Sequence, residues 1–408
     1  MPFFSRDQRT AIEKLPKDFK LLLASFGLSR GASTLFTIVL LWIVLAETKS
    51  SLIMGLVSGV GSLPMLLSFL VGAMIDSSTK KKSIFVLGGI IRVFAALGVL
   101  VSIIEGIVQL EIFAFFVSVF MMGFSGDLIN SIRMVWTKRL LPDSQMKRGS
   151  SAYQIMGTTI SAVGEISSGI LLEIGFTISL AVIVFLFLGF SIISLAINVV
   201  SENPTREPGK VRIKHHFLKE LKSIGSNTVF KQTLIIGIFL NLPFNMIFVF
   251  LVFLVQVHFA LPPLYLGIAL LLDSAGSIAG AYLAQRFMKH SFWLVPLSAL
   301  TGMSLISIGF LPGIYFVLAI MGASGIMFGA VGVIVSTVLL KKVQEGVMAG
   351  SMGAFNMLAN STSIYSGFLA GILILFVGVR FGFVIAGTTI LIVSLLSLRF
   401  KELLNIDL

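Results

Sequence analysis

The chain has no cysteine at all. Disulfides, thiolate metal sites and cysteine nucleophiles are therefore excluded. Charge is scarce too: Asp, Glu, Lys and Arg make up 12% of the 408 residues, against roughly 25% in a soluble domain. Too few polar side chains exist to coat a water-soluble globule, so lipid is the expected outer solvent. Of the four histidines (His215, His216, His258, His290) only His215 and His216 are neighbours, in a basic stretch without carboxylate spacing. They read as surface residues, and neither a metal site nor a cofactor is expected. The stretch up to Lys20 is polar and mixed in charge, so no signal peptide or organelle transit sequence is expected.

What fills the chain instead is apolar residue, 56% of the total. Long apolar runs fall at roughly 21–46, 51–76, 83–104, 110–135, 150–173 and 176–200. After a polar stretch they resume at roughly 231–258, 263–287, 291–310, 313–340, 347–374 and 379–399. Each is near or above the ~20 residues a helix needs to cross ~30 Å of hydrocarbon. No strand-like alternation appears, and a backbone in lipid must satisfy its own hydrogen bonds, so helices follow. The expectation is an all-α membrane protein with 12 transmembrane helices.

The net charge of +12 is not a nucleic-acid footprint. With the N-terminus inside, all but four of the 30 Lys and Arg residues fall at inner span ends or in inner loops. Lys49 and Arg380 lie outside, and Arg30 and Arg92 lie within spans. That is the positive-inside pattern, with both termini cytoplasmic and a multi-pass protein of the cell membrane. The one long polar break, 201–230, opens with Pro204 and Pro208. In it Ile213, Phe217, Leu221 and Ile224 recur at helical spacing, which suits either an amphipathic helix on the inner leaflet or a plain linker.

The break separates two halves, residues 1–200 and 231–408, that resemble each other. Met122-Gly-Phe-Ser-Gly126 recurs as Met321-Gly-Ala-Ser-Gly325, each followed by a Leu pair (Leu140, Leu141 and Leu339, Leu340). Ala152-Tyr-Gln154 matches Ala354-Phe-Asn356, and Gly169-Ile-Leu171 matches Gly371-Ile-Leu373. The offset stays between 199 and 202 residues. Duplicated six-span units are a mark of secondary transporters.

Between the second and third spans stands Gly72-Ala-Met-Ile-Asp76-Ser-Ser-Thr-Lys80-Lys81-Lys82. It resembles the loop motif of the major facilitator superfamily, with Gly72 and Asp76 at the Gly and Asp positions and Lys80 and Lys81 at the basic pair. Ser77 and Thr79 depart from the pattern. A fainter copy is Gly280-Ala-Tyr-Leu-Ala-Gln-Arg286-Phe-Met-Lys289. The resemblance implies two pseudo-symmetric six-helix bundles, alternating access, and a gating role for these residues, with Arg133 as a partner for Asp76. Gly72 is expected to let two helices approach closely. Leu63-Pro64 and the loop also look like the drug and macrolide exporter branch. The antiporter motif of span five is only partly kept, since Glu165 and Ser168 replace a proline and a glycine in Gly164-Glu165-Ile-Ser-Ser168-Gly169.

An ionisable side chain at mid-span costs at least ~2.5–3.5 kcal/mol, so it usually faces a cavity or a partner. Arg30, Asp127, Glu165 and Asp273 lie at that depth. The resemblance places their spans around a central cavity. In span five Gln154, Thr158, Ser161, Glu165 and Ser168 form one polar stripe, repeated in span eleven by Asn356, Asn360 and Ser363. Span one offers Arg30, Ser33 and Thr37 with Ser29 alongside; span four offers Asp127 and Asn130. In span seven Asn241 and Asn245 flank Pro243. The Ser and Thr residues serve as cavity lining or as helix-helix glue. Arg92 is read as a snorkelling or structurally paired side chain. Glu105, Glu111 and Glu173, at outer span ends, are read as solvated.

The functional expectation is proton-coupled export of a small amphipathic or hydrophobic solute by a monomer. Desolvation raises a carboxyl pKa and a nearby Arg lowers it, so a carboxylate meeting Arg30 in one conformation only could carry a proton. Na⁺ could replace H⁺. The alternative is an anionic solute clamped by Arg30. An enzyme is not expected, since no His-Glu-x-x-His or Gly-x-Ser-x-Gly pattern occurs.

Overall fold

The structure, a computed structural model, describes residues 15–198, 228–342 and 357–407. Within them the chain runs α1 (Lys17–Thr48), α2 (Ser51–Ser62), a 3₁₀ turn (Leu63–Leu67), α3 (Ser68–Ser77), α4 (Lys81–Glu105), α5 (Val108–Leu140), α6 (Asp143–Ile174) and α7 (Phe176–Ala196). Then come α8 (Thr228–Phe253), which ends in a π turn, α9 (Leu264–Phe287), α10 (Leu294–Ile308), α11 (Ile314–Lys342), α12 (Thr362–Val377), α13 (Val379–Ser397) and the short α14 (Lys401–Leu404). The 201–230 break falls largely outside the described residues, as does Asn356.

Twelve spans were expected. Among the described residues 11 helices are long and apolar enough to cross a membrane. The run at 51–76 is the exception, because it is not one helix. Pro64 lacks an N–H and cannot sit inside an α-helix without breaking its ladder, and the chain tightens there into the 3₁₀ turn. Many large apolar side chains stay exposed along the helices, among them Phe94, Phe113, Phe185, Phe310 and Phe376. Outward-facing phenylalanines suit lipid, which demands no polar coat.

The chain divides into two compact units, Met1–Thr48 with Leu63–Val211 and Lys49–Ser62 with Arg212–Leu408. Residues 49–62, grouped by sequence with residues 1–200, thus belong by their contacts to the second unit. In the first unit α1 packs on α6 and α7, and α4 packs on α5 and α7. One core cluster gathers Phe85, Trp136 and Phe190 with Ile129 and Ile132. The Phe85 ring lies 4.8 Å from Trp136 and 5.4 Å from Phe190.

In the second unit glycines set the helix crossings. A Cβ added at Gly280 would lie 2.6 Å from the Ile326 carbonyl carbon and 2.9 Å from its Cα. Gly276, Gly325 and Gly329 press equally on backbone, so α9 and α11 touch main chain to main chain. Helix α2 meets α12 in the same way, through Gly55 and Gly59 against Gly367 and Gly371, and Ser51 donates to the Gly371 carbonyl at 3.2 Å. Lipid offers no hydrophobic drive between helices, so close van der Waals fit at small residues is what holds such pairs. A C-terminal strap completes the unit. Buried Ser291 accepts from the Ile406 N–H at 3.1 Å through Oγ, donates from Oγ to the Leu403 carbonyl at 2.6 Å, and donates its own N–H to the Ile406 carbonyl at 2.9 Å.

Candidate functional site

The first unit brings several mid-span polar residues close together. Arg30 on α1 is exposed, and its Nε donates to Ser161 Oγ on α6 at 2.8 Å. Glycines make that reach possible, since Gly157 and Gly164 of α6 lie against Phe26 and Thr34 of α1. Arg133 on α5 stacks its guanidinium over the rings of Phe26 at 4.5 Å and Tyr153 at 4.9 Å. Such cation–π contacts hold a cation without neutralising it. Arg133 Nε is buried with no hydrogen-bond partner, and Arg30 lies close enough to repel its charge. Among the described residues neither Arg30 nor Arg133 is ion-paired. The two guanidinium groups are thus neighbours, and no described carboxylate pairs with either.

Asp127, also on α5, is half-buried, and its Oδ2 has no hydrogen-bond partner among the described residues. Asn130, a turn onward, is exposed. Glu165 is half-buried on α6, where its backbone carbonyl accepts from Ser168 Oγ at 2.6 Å. Among the described residues Arg30 makes no ion pair with Asp127 in this conformation.

Of the two readings of Arg92, snorkelling or a structural pairing, the structure shows the pairing. Arg92 is buried to 6% exposure, its Nε donates to Ser125 Oγ at 3.1 Å, and its Nη1 donates to the hydroxyls of Ser29 and Ser33. Its charge also faces the Phe187 ring at 5.6 Å. Ser29 and Ser33 therefore act as glue between α1 and α4, and the polar face of α1 splits into a buried serine side and an exposed Arg30. Glu111, expected in solvent, is likewise 3% exposed, with Glu47 of α1 within electrostatic reach.

The loop motif gives a mixed result. Among the described residues nothing lies within 4 Å of a Cβ built at Gly72, while its counterpart Gly280 makes a close approach. The Asp76 side chain lies outside the described residues, so its pairing with Arg133 does too. Lys80 is exposed, whereas Lys81 is fully buried and donates to the Ser78 carbonyl at 2.6 Å.

In the second unit Asp273 is partly buried on α9, with its own carbonyl against Gly325. Asn241 and Asn245 donate their side-chain amides to carbonyls one turn back, Gly237 at 2.9 Å and Asn241 at 2.7 Å. Asn360 is half-buried at the end of the short helical stretch 357–360 that precedes α12. Asp273, the Asn241–Asn245 pair and Asn360 thus lie on three different stretches of helix.

The sequence profile of the Major Facilitator Superfamily matches residues 22–367. The chain belongs to the major facilitator superfamily. This facilitator is therefore a multi-pass membrane transporter and not an enzyme. A comparison with curated proteins finds no match. Among solved structures it is similar to a POT family transporter in complex with a thioalcohol-conjugated peptide, with TM-score 0.73 and 14% identity over 96% of this chain and 99% of that one. It is similar to the nucleoside transporter NupG, with TM-score 0.70 and 12% identity over 95% and 100%. It is also similar to a bacterial homologue of the iron transporter ferroportin in an inward-facing state, with TM-score 0.69 and 11% identity over 95% and 99%. At such identities the likeness is one of fold, and the cargo of this facilitator has to be read from its own residues.

The aromatic sleeve around Arg133 was not foreseen. Phe26 and Tyr153 are far from it in sequence and reach it only because α1, α5 and α6 converge. The one signal available was Tyr153 within the repeated Ala152-Tyr-Gln154.

Proposed function

We infer that this facilitator is a proton-coupled secondary transporter working by alternating access, and that its small solute carries an anionic group. The observation that carries the reading is the exposed Arg30, which donates to the neutral Ser161 and makes no ion pair among the described residues, with the Arg133 guanidinium within electrostatic reach. A carboxylate or phosphate meeting Arg30 would find a fixed fork of donors and a second positive charge. Asp127, with an oxygen that is buried and has no hydrogen-bond partner among the described residues, is the carboxyl best suited to take up and release a proton. Glu165 and Asp273 follow it. Phe26 and Tyr153 supply an apolar flank, which suits an amphipathic cargo. Export is favoured by the likeness of Leu63-Pro64 and the loop to the drug and macrolide exporter branch.

The test is flux of radiolabelled organic carboxylates and phosphate esters into inverted vesicles under an imposed pH gradient. Acceleration by the gradient in wild type, and its loss in Asp127→Asn with residual downhill flux, support the reading. Unchanged pH-driven flux in Asp127→Asn, Glu165→Gln and Asp273→Asn alike would refute the coupling.

A further inference from the structure

A cleft of about 650 Å³ opens where the last turn of α9, the turn after it, α11 and the C-terminal strap meet. Its lining includes Gln285, Arg286, Lys289, His290, Thr337 and Asp407. The charge there is lopsided. Arg286 and Lys289 are exposed cations, and Lys341 closes the strap side by donating to the Asp407 carbonyl at 2.9 Å. The single acidic side chain of the lining, Asp407, contacts His290 Nδ1 at 2.6 Å. Arg286 spends one Nη on the Tyr282 hydroxyl at 3.0 Å and keeps its other N–H groups. No described side chain hydrogen-bonds Lys289 or Gln285. The cleft thus offers several unspent donors and net positive charge, with Asp407 fixed at its edge because Ser291 holds the strap.

The surroundings say what kind of anion fits. Tyr282, Phe287, Phe292 and Trp293, all within eight residues of the cleft's own His290, are 45–63% exposed. Exposed Trp and Tyr beside cations mark the boundary between hydrocarbon and water. A free phosphate would have no use for that apolar collar. A ligand with acyl chains and an anionic head would use both parts. A choline head would bring its own cation against Arg286 and Lys289.

We propose that this cleft binds the phosphate diester head of an anionic phospholipid, held by Arg286 and Lys289, with its acyl chains along the collar. The site is separate from the Arg30 group and does not rest on the solute reading. Asp407 competes with the phosphate for the basic side chains.

The full chain, purified in detergent, is titrated with dioctanoyl phosphatidylglycerol, dioctanoyl phosphatidylcholine and inorganic phosphate. Binding is followed by thermal stabilisation and native mass spectrometry. Phosphatidylglycerol is expected to bind at least tenfold more tightly than phosphatidylcholine. Joint Arg286→Ala and Lys289→Ala substitution should weaken it roughly tenfold or more, at about 1 kcal/mol per cation, with little effect on phosphatidylcholine. Asp407→Asn should tighten it, and that variant decides the matter if the double variant does not fold. Equal affinity for the two lipids, an unaffected double variant with unaltered Asp407→Asn affinity, or inorganic phosphate binding as tightly as phosphatidylglycerol would overturn the proposal.

Discussion

Replacing Gly280 by Ala adds one methyl group at the tightest helix crossing in the second unit. The new Cβ would meet the Ile326 carbonyl group at 2.6 Å from its carbon and sit 2.9 Å from its Cα, where ordinary contact begins at 3.4 Å. The obstacle is backbone and cannot rotate away, so α9 and α11 must part by roughly an ångström. The same seam carries Gly276, Gly325 and Gly329, so parting at one point loosens the fit along several turns. Overpacking of this kind costs about 1–3 kcal/mol, and lost van der Waals contact adds to it. Gly72→Ala is the matched control at the corresponding motif position, with nothing within 4 Å of its Cβ. Removing a helical glycine there gains up to about 1 kcal/mol of helix propensity. Thermal unfolding of both variants in detergent should show a clear fall in Tm for Gly280→Ala and none for Gly72→Ala. Wild-type stability in Gly280→Ala, or equal damage in both, would refute the packing argument.

Arg92→Met should leave stability within about 1 kcal/mol of wild type, because Ser33 and Ser125 still donate to their own helix carbonyls and the cost of burying a guanidinium disappears. Arg92→Ala, which leaves a void beside Phe187, should cost about 2–5 kcal/mol; Tm values for the pair check this. Ser291→Ala removes two side-chain hydrogen bonds from the strap and should speed hydrogen exchange at Leu403–Ile406. Tyr153→Ala strips one ring from Arg133 and should lower solute affinity a few-fold, read from the half-saturation of flux.

Sequence alone carried the helical, membrane-spanning architecture, because hydrocarbon thickness imposes a length and composition that 20-residue runs display openly. The break at Pro64 was also visible, though its effect on the second span was missed: a run of apolar residues looks continuous whether or not its backbone is. The site was only half legible. Mid-span depth made Arg30 and Asp127 candidates, since an ion in lipid is conspicuous, and that candidacy rests on depth alone. It could not tell that Ser29 and Ser33 turn toward Arg92 while Arg30 turns the other way, because that depends on where α4 and α6 pack. Gly72 shows the converse limit. Two copies of one motif spell the same glycine, and among the described residues Gly280 alone of the two meets a neighbouring backbone.

The central claim is that Arg30 grips an anionic group of the solute. Half-saturation of flux in proteoliposomes, compared between wild type, Arg30→Lys and Arg30→Gln, tests it most directly. A planar fork matched to carboxylate or phosphate predicts at least a tenfold rise for Arg30→Lys and a larger one for Arg30→Gln, at unchanged Tm. Equal half-saturation in all three proteins would contradict it.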